Sequence, residues 1–393
     1  MKAYIVETNK IIEPFGDYAR DCLILNKPLR QLQEEVLRSL NIEIVHVENM
    51  DQISDTEEYI AFHDNLYFTA ELMSDFINES RQFNSGTVCA LKSGTFTRMT
   101  ATSLQDVSHI LDEFVEYRLY YSPICVYGSL PSTPVVIDPD ELPFSITMPH
   151  HMCGNSNDEY FVPFTEQMLI QIDHWTNLWA ANVFSTTCEV AKLKKGSKYK
   201  QLLAALKAFS FKESKILGKF NKIGKNCEIH HTAIVEGSVI GDNVKIDAGA
   251  VVTCSNVGDS AYIGKNVVIE ESVIGEKSVV FHGQVIYSVI YPSSFSTSSF
   301  VTAGMMGRET FLGGNSSLTD YRFDGKNVTV MKDGIPVDSG NIFLSSCLGH
   351  GTKIAAGVPV APGRTIPCGS KIVLGDDKII SGFSENPKGF RLV

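Results

Sequence analysis

The sequence predicts a two-part molecule: an α/β domain with a largely parallel sheet, followed by a parallel β-helix of hexapeptide repeats. Two observations carry this. From about residue 222 onward small aliphatic residues recur at every sixth position. They run Ile223, Ile229 and Val235, then Ile240 and Ile246, then Val257, Ile263 and Ile269, and near the end Leu348, Ile354, Val360, Ile366 and Ile372. A period of six fits neither an α-helix nor an ordinary strand. It is the spacing of a triangular coil whose three short strands each turn one aliphatic side chain inward. Upstream of that region strand-like and helix-like runs alternate, the pattern of a parallel sheet with crossover helices.

In chain order, Ala3–Val6, Ile42–Val47, Tyr59–Phe62, Thr87–Leu91 and Val135–Ile137 read as strands, and Arg30–Ser39, Thr69–Ser80 and Ser103–Leu119 as helices. These elements fill residues 1–190. Residues 191–221 place Lys192, Lys194, Lys195, Lys198 and Lys200 before an apolar run at Leu202–Leu206, a basic helical linker with a solvated charge cluster. The β-helix occupies residues 222–383, with small residues after its inward positions, as in Ile240-Gly241-Asp242-Asn243; residues 384–393 form a tail. Between Asp320 and Ser346 the six-residue phase is lost. Asn327–Met331, Lys332-Asp333-Gly334 and Ile335–Val337 read there as strand, turn and strand, an arm over residues 320–346 inserted into the coil.

Composition narrows the function. A formal net charge of −11 over 393 residues argues against a nucleic-acid partner, which needs basic surface. No apolar run approaches the roughly 18 residues of a membrane span, and Met1–Glu7 reads as a first strand and not a leader. A cytoplasmic protein without a membrane partner is the expectation. The nine cysteines form no C-x-x-C pair, so neither a disulfide framework nor a zinc knuckle is indicated; Cys227, Cys254, Cys347 and Cys368 read as small core or wall residues.

Four stretches carry a family likeness. They are Leu23-Ile24-Leu25-Asn26-Lys27-Pro28-Leu29; Ala61-Phe62-His63-Asp64-Asn65-Leu66-Tyr67-Phe68; Trp175-Thr176-Asn177-Leu178-Trp179-Ala180-Ala181-Asn182; and Tyr321-Arg322-Phe323-Asp324-Gly325-Lys326-Asn327-Val328, which continues to Gly349-His350-Gly351-Thr352-Lys353. With the order of the two domains, they resemble the sugar-1-phosphate nucleotidyltransferases. The bifunctional N-acetylglucosamine-1-phosphate uridylyltransferase/glucosamine-1-phosphate acetyltransferases and their relatives are most alike. The resemblance implies a nucleotidyltransferase-like, Rossmann-like α/β domain, a left-handed β-helix and a homotrimer. It also implies sugar phosphates and nucleotides as ligands, Mg²⁺ in the first domain and acetyl-CoA on the second.

Carried over residue by residue, the resemblance makes Asp64 the first Mg²⁺ carboxylate, with Asn65 beside it. Strict alignment puts Ile170 at the second, three residues from Asp173, which reads equally as the N-cap of the helix at Trp175. The Gly-rich phosphate loop of the family is missing. The first strand runs instead into Glu7-Thr8-Asn9-Lys10-Ile11-Ile12-Glu13-Pro14-Phe15-Gly16, and Arg20 falls at or beside the position of the family's lysine. His150, His151 and His174 are further ligand candidates, the adjacent pair reading as surface.

For acyl transfer a histidine must take the proton of the attacking amine or hydroxyl. Thr297 stands where the family has that histidine and Asp320 where it has an asparagine, which leaves His282 and His350 as bases. Ala355-Ala356-Gly357 would let a pantetheine arm approach the backbone, and Arg364 would meet a CoA phosphate. Nucleotidyl transfer from a nucleoside triphosphate to a sugar 1-phosphate is the leading expectation. The alternatives are CoA-dependent acyl transfer on the β-helix and a catalytically silent sugar-nucleotide-binding scaffold.

Overall fold

The structure, a computed structural model, describes residues 1–53, 57–123, 133–139, 142–149, 152, 159–195, 221–375 and 390–392. The chain forms two compact units. One comprises Met1–Ile12, Gly16–Ile146 and Tyr160–Ala181; the other comprises Glu13–Phe15, Thr147–Glu159 and Asn182–Val393.

The first unit is built on a mixed sheet. Its strands are β1 (Lys2–Val6), β2 (Glu43–Val47), β3 (Tyr59–His63), β4 (Thr87–Lys92), β5 (Phe114–Ser122) and β6 (Thr133–Ile137), in the order β6-β4-β5-β3-β1-β2, with His109–Ile110 pairing β5. β1 pairs parallel with β2 and β3, and β6 parallel with β4, while β5 runs antiparallel to both its neighbours. Ala3 to Val6 are all buried, the mark of a central strand covered on both faces. Helix α1 (Leu29–Ser39) buries Leu29, Gln33 and Leu37, a stripe four residues apart, and α2 (Ala70–Ser80) buries Leu72, Met73, Phe76 and Ile77.

One expected helix is absent. Residues 103–119 hold a short 3₁₀ turn ending at Leu104, the two-residue strand at His109 and most of β5. The run Phe114-Val115-Glu116-Tyr117-Arg118-Leu119 is aromatic and β-branched and alternates half-buried with buried positions, a period of two. Helix α3 (Trp175–Lys195) begins where the tryptophan motif predicts, and the boundary between the units falls within it. The lysines from 198 onward, the Leu202–Leu206 run, His150, His151 and the tail residues 384–389 lie outside the described residues.

The second unit contains a parallel β-helix. Its strands stack into three sheets, of eight, nine and seven strands, parallel throughout the coils. Ile240, Val257, Ile274 and Ile290 lie in register on one sheet, Ile246, Ile263 and Val280 on the second, and Val252, Ile269 and Val285 on the third. These inward residues form one continuous aliphatic core from Ile240 to Ile372. Ser296 is the exception: it occupies an inward position of the second sheet, fully buried between Val280 and Leu312.

The slips in the six-residue phase have a structural cause. Equivalent corner residues along the serine ladder lie 17 apart in the early coils and then 16 apart, while the last coil spans the full 18, so corners are shortened where the phase slips and the strands keep their register. One shortened corner is held by a ladder of buried serines. The Ser255 N–H donates to Ser238 Oγ at 3.1 Å, Ser272 N–H to Ser255 Oγ at 3.1 Å, Ser288 N–H to Ser272 Oγ at 3.0 Å, and Gly304 N–H to Ser288 Oγ at 3.1 Å. A tight corner leaves one amide per coil without a strand partner, and a serine side chain is short enough to accept from it.

The coil is interrupted after the strand at Ser317–Leu318 and resumes at Cys347–Leu348, which pairs with Met305–Met306. The inserted arm is an antiparallel hairpin of Thr329–Lys332 with Ile335–Asp338. Its two-residue turn places both Asp333 (φ 52°) and Gly334 (φ 78°) in the left-handed region, as such hairpins favour. The base of the arm is packed, not free: Val328 and Val330 are buried, and a Cβ on Gly363 would meet Val328 Cγ1 at 2.8 Å.

Candidate functional sites

In the first unit the chain leaves β1 and β3 side by side, Val6 pairing His63, so residues 7–10 and Asp64-Asn65 share the carboxyl edge of the sheet. This is where open α/β sheets place ligands. Four residues singled out from the sequence meet here. Asp64 Oδ1 accepts from the Thr8 N–H at 3.0 Å and the Thr8 hydroxyl at 2.5 Å, and Oδ2 accepts from Arg20 Nη1 at 2.9 Å. Asn65 Nδ2 donates to Asp173 Oδ1 at 2.8 Å; the other oxygen, Oδ2, accepts from the Asp106 N–H at 2.7 Å and Gln171 Nε2 at 2.8 Å. Lys10 Nζ lies 2.9 Å from Asp106 and 3.7 Å from Asp173. From α1, the buried Gln33 reaches across to donate to the carbonyls of Asp64 and Leu66 at 3.0 and 2.7 Å.

Thr8, Lys10, Asp106 and Gln171 escaped the sequence reading. The first two sit in the loop read only as the loss of a phosphate cradle, and Asp106 in the stretch read as helix. Ile170 is fully buried within the strand Leu169–Gln171, and Asp173 takes the place beside Asn65. Asp173 does not cap α3. The Thr176 N–H is accepted by His174 Nδ1 at 3.3 Å, and the N–H groups of Asp173 and His174 by Asn177 Oδ1 at 3.4 and 3.0 Å. His174 is thereby a helix-capping residue.

The electrostatics follow from these contacts. The hydrogen bond to Asp64 raises the Arg20 guanidinium further above its ordinary value. Burial pushes the Asp173 carboxyl up, against the pull of the Asp106 N–H and Lys10. His63, at the end of β3, is pushed down to about 4, first by burial and then by Arg118, so its ring is neutral at pH 7.

These residues do not fit Mg²⁺. All four carboxylate oxygens of Asp64 and Asp173 already face N–H, O–H or cationic donors, where a hard cation requires open lone pairs. Among the described residues no group of three His, Cys, Asp or Glu is placed to hold a metal ion.

In the second unit the candidates separate onto different corners. His282 is exposed, two residues after the inward Val280. In the three coils that follow, the equivalent positions after Ser296, Leu312 and Ile354 are Ser298, Gly314 and Ala356. His282 and Ala355-Ala356-Gly357 therefore share one corner, three coils apart. At the strand spacing of about 4.8 Å that is about 14 Å. Thr297 lies on the same corner, its hydroxyl donating to the Leu312 carbonyl at 3.1 Å.

His350 sits on another corner, stacked against Phe15 with ring centroids 4.9 Å apart, and its Nδ1 accepts from the Arg308 N–H at 2.8 Å. One ring face and one nitrogen are engaged, with Tyr291 stacked on Phe15 and 6.2 Å from the imidazole. Arg364 is half-buried on the third corner. Its Nη1 donates to the Pro362 carbonyl at 3.1 Å, and burial and then the charge of Arg322 lower its pKa. Burial raises that of Asp320, at the root of the arm. Cys347 is buried, Cys227 and Cys254 are half-buried, and Cys368 is exposed, its thiol donating to the Pro14 carbonyl at 2.9 Å.

No protein-family model matches the chain, and no curated protein matches it. Among solved structures, it is similar to the UDP-N-acetylglucosamine acyltransferase from Campylobacter jejuni at 14% identity, over 39% of this chain and 67% of that one, with a TM-score of 0.22. It is also similar to a hexapeptide transferase family protein from Anaplasma phagocytophilum at 17% identity, over 39% of this chain and 79% of that one, with a TM-score of 0.20. At such TM-scores the likeness carries no argument about this chain's chemistry. No described helix is long and apolar enough to cross a membrane.

Proposed function

We propose that the β-helix is the working part of this protein and that it is a CoA-dependent acyltransferase with His282 as general base. One observation carries the reading: His282 is an exposed imidazole on the same corner as the small residues Gly313-Gly314 and Ala355-Ala356-Gly357. A thioester such as acetyl-CoA supplies an activated acyl group. His282 removes the proton from an acceptor amine or hydroxyl as it attacks the thioester carbonyl, and returns it to the departing thiolate as the carbon–sulfur bond breaks. His350, whose Nδ1 and ring face are committed, is the weaker base candidate.

The acceptor class is a sugar phosphate, as the resemblance implies, and the first unit is a nucleotidyltransferase-like domain whose own transfer chemistry has lapsed. The solenoid is taken to be left-handed, with three copies side by side in the cytoplasm. Phe281, Phe295, Phe300 and Phe311 stay exposed on the faces flanking the His282 corner, an apolar strip suited to a neighbouring copy.

Calorimetry with acetyl-CoA, paired with His282→Ala, tests the reading. The variant is expected to bind the thioester as the wild type does and to lose transfer to an added amine. No heat from the wild type at millimolar acetyl-CoA, with unchanged thermal stability, refutes it.

A further inference from the structure

We propose that the first unit is closed to Mg²⁺ and to nucleoside triphosphates because Lys10 and Arg20 serve as built-in cations for its two buried carboxylates. Asp64 and Asp173 are 4% and 8% exposed, and groups so buried need partners from within the fold. The partners come from the chain itself. Arg20 lies 2.9 Å from Asp64, and Lys10 is shared between Asp106 at 2.9 Å and Asp173 at 3.7 Å.

Two further features fix this arrangement. The remaining donors include the main-chain N–H groups of Thr8 and Asp106, which cannot swing away as side chains do. To open an oxygen for a metal, the loop after β1 and the segment at Asp106 would both have to move. The phosphate side is closed as well. Arg20 Nη1 is held by Asp64 and lies 3.7 Å from Glu7, and Nη2 donates to Asn9 Oδ1 at 3.1 Å, so the guanidinium is bracketed by acceptors that an incoming triphosphate must displace. A divalent ion entering this cluster would meet two fixed positive charges within a few ångströms. The carboxylates thus hold the unit together instead of serving transfer.

Mn²⁺ is the probe for the metal, read by its electron paramagnetic resonance signal, and Mg²⁺ with UTP, read by thermal melting, is the probe for the nucleotide. The wild type is expected to leave Mn²⁺ free at millimolar concentration and to melt unchanged with Mg²⁺ and UTP. Arg20→Met and Lys10→Met, which strip the internal cations, should melt earlier and bind Mn²⁺ about tenfold or more tightly than wild type, since a fixed positive charge no longer repels the incoming ion and one carboxylate oxygen loses its cationic partner. Mn²⁺ binding by the wild type that disappears in Asp64→Asn overturns the proposal. So does melting of both methionine variants at the wild-type temperature. If a methionine variant fails to fold, the wild-type Mn²⁺ measurement decides alone.

Discussion

Replacing Ser272 by alanine isolates the contribution of the serine ladder at the shortened corner. Ser272 is fully buried, and its Oγ accepts from the Ser288 N–H at 3.0 Å while donating to the Glu270 carbonyl at 2.6 Å or the Val285 carbonyl at 3.2 Å. Alanine removes a single oxygen, so no cavity of consequence is left. The Glu270 carbonyl still accepts from the Tyr287 N–H at 3.0 Å, which makes loss of the serine donor mild. The Ser288 N–H, by contrast, is stranded in a dry corner, and an orphaned buried donor costs about 1–3 kcal/mol. Taking about 2 kcal/mol, the Ser288 amide should lose about thirtyfold of its protection against hydrogen exchange. Native-state exchange followed by mass spectrometry on peptides spanning residues 284–290 measures this. Gly304, one coil further, keeps its acceptor in Ser288 Oγ and should keep its protection. Exchange of Ser288 at the wild-type rate would show that the corner finds another acceptor and refute the ladder as its cause.

Two further outcomes follow from the same structure. His63 has its folded pKa lowered from 6.5 to about 4, so between those values the unfolded chain binds the extra proton. Stability from this residue is complete above about pH 6.5 and is lost as pH falls towards 4; urea unfolding of His63→Phe should show a flatter acid limb, and an unchanged slope would count against burial as the cause. Gly283 has φ 89° and its added Cβ would collide with the backbone carbonyl oxygens of Ser298 and Ser299. Gly283→Ala should therefore cost more than about 2 kcal/mol, combining left-handed strain with the displaced coil, and an unaltered urea midpoint would contradict the corner geometry.

The candidate site of the first unit was half legible in the sequence. Asp64 and Asn65, which follow the strand Tyr59–His63, and Arg20, at or beside the family's lysine position, were placed by the family resemblance. Asp173 was ambiguous because an aspartate before a helix reads as a cap, whereas the capping is done by His174 and Asn177. Nothing local to Lys10 or Asp106 marks them as partners, since they lie 96 residues apart and meet only when the sheet is assembled. The misread stretch at 103–119 failed for a related reason. Its apolar residues fit a helical face loosely, and the pairing of β5 between β3 and β4 settled the matter.

The β-helix was written in the sequence almost completely, because a coil that stacks the same three positions on themselves needs one aliphatic residue every six and tolerates little else inside. The inserted arm was legible for the same reason, as a break in that phase. Corner identity was not. His350 and Arg364 lie in the last coil, which keeps the full 18-residue period, whereas the corner of His282 depended on where the coils of 17 and 16 lose their residues. The tertiary structure likewise decided the state of the two carboxylates. A sequence can show that acids are present, but whether an acid is open to a ligand or already satisfied depends on distant backbone N–H groups and cations brought to within about 3 Å by the folded sheet.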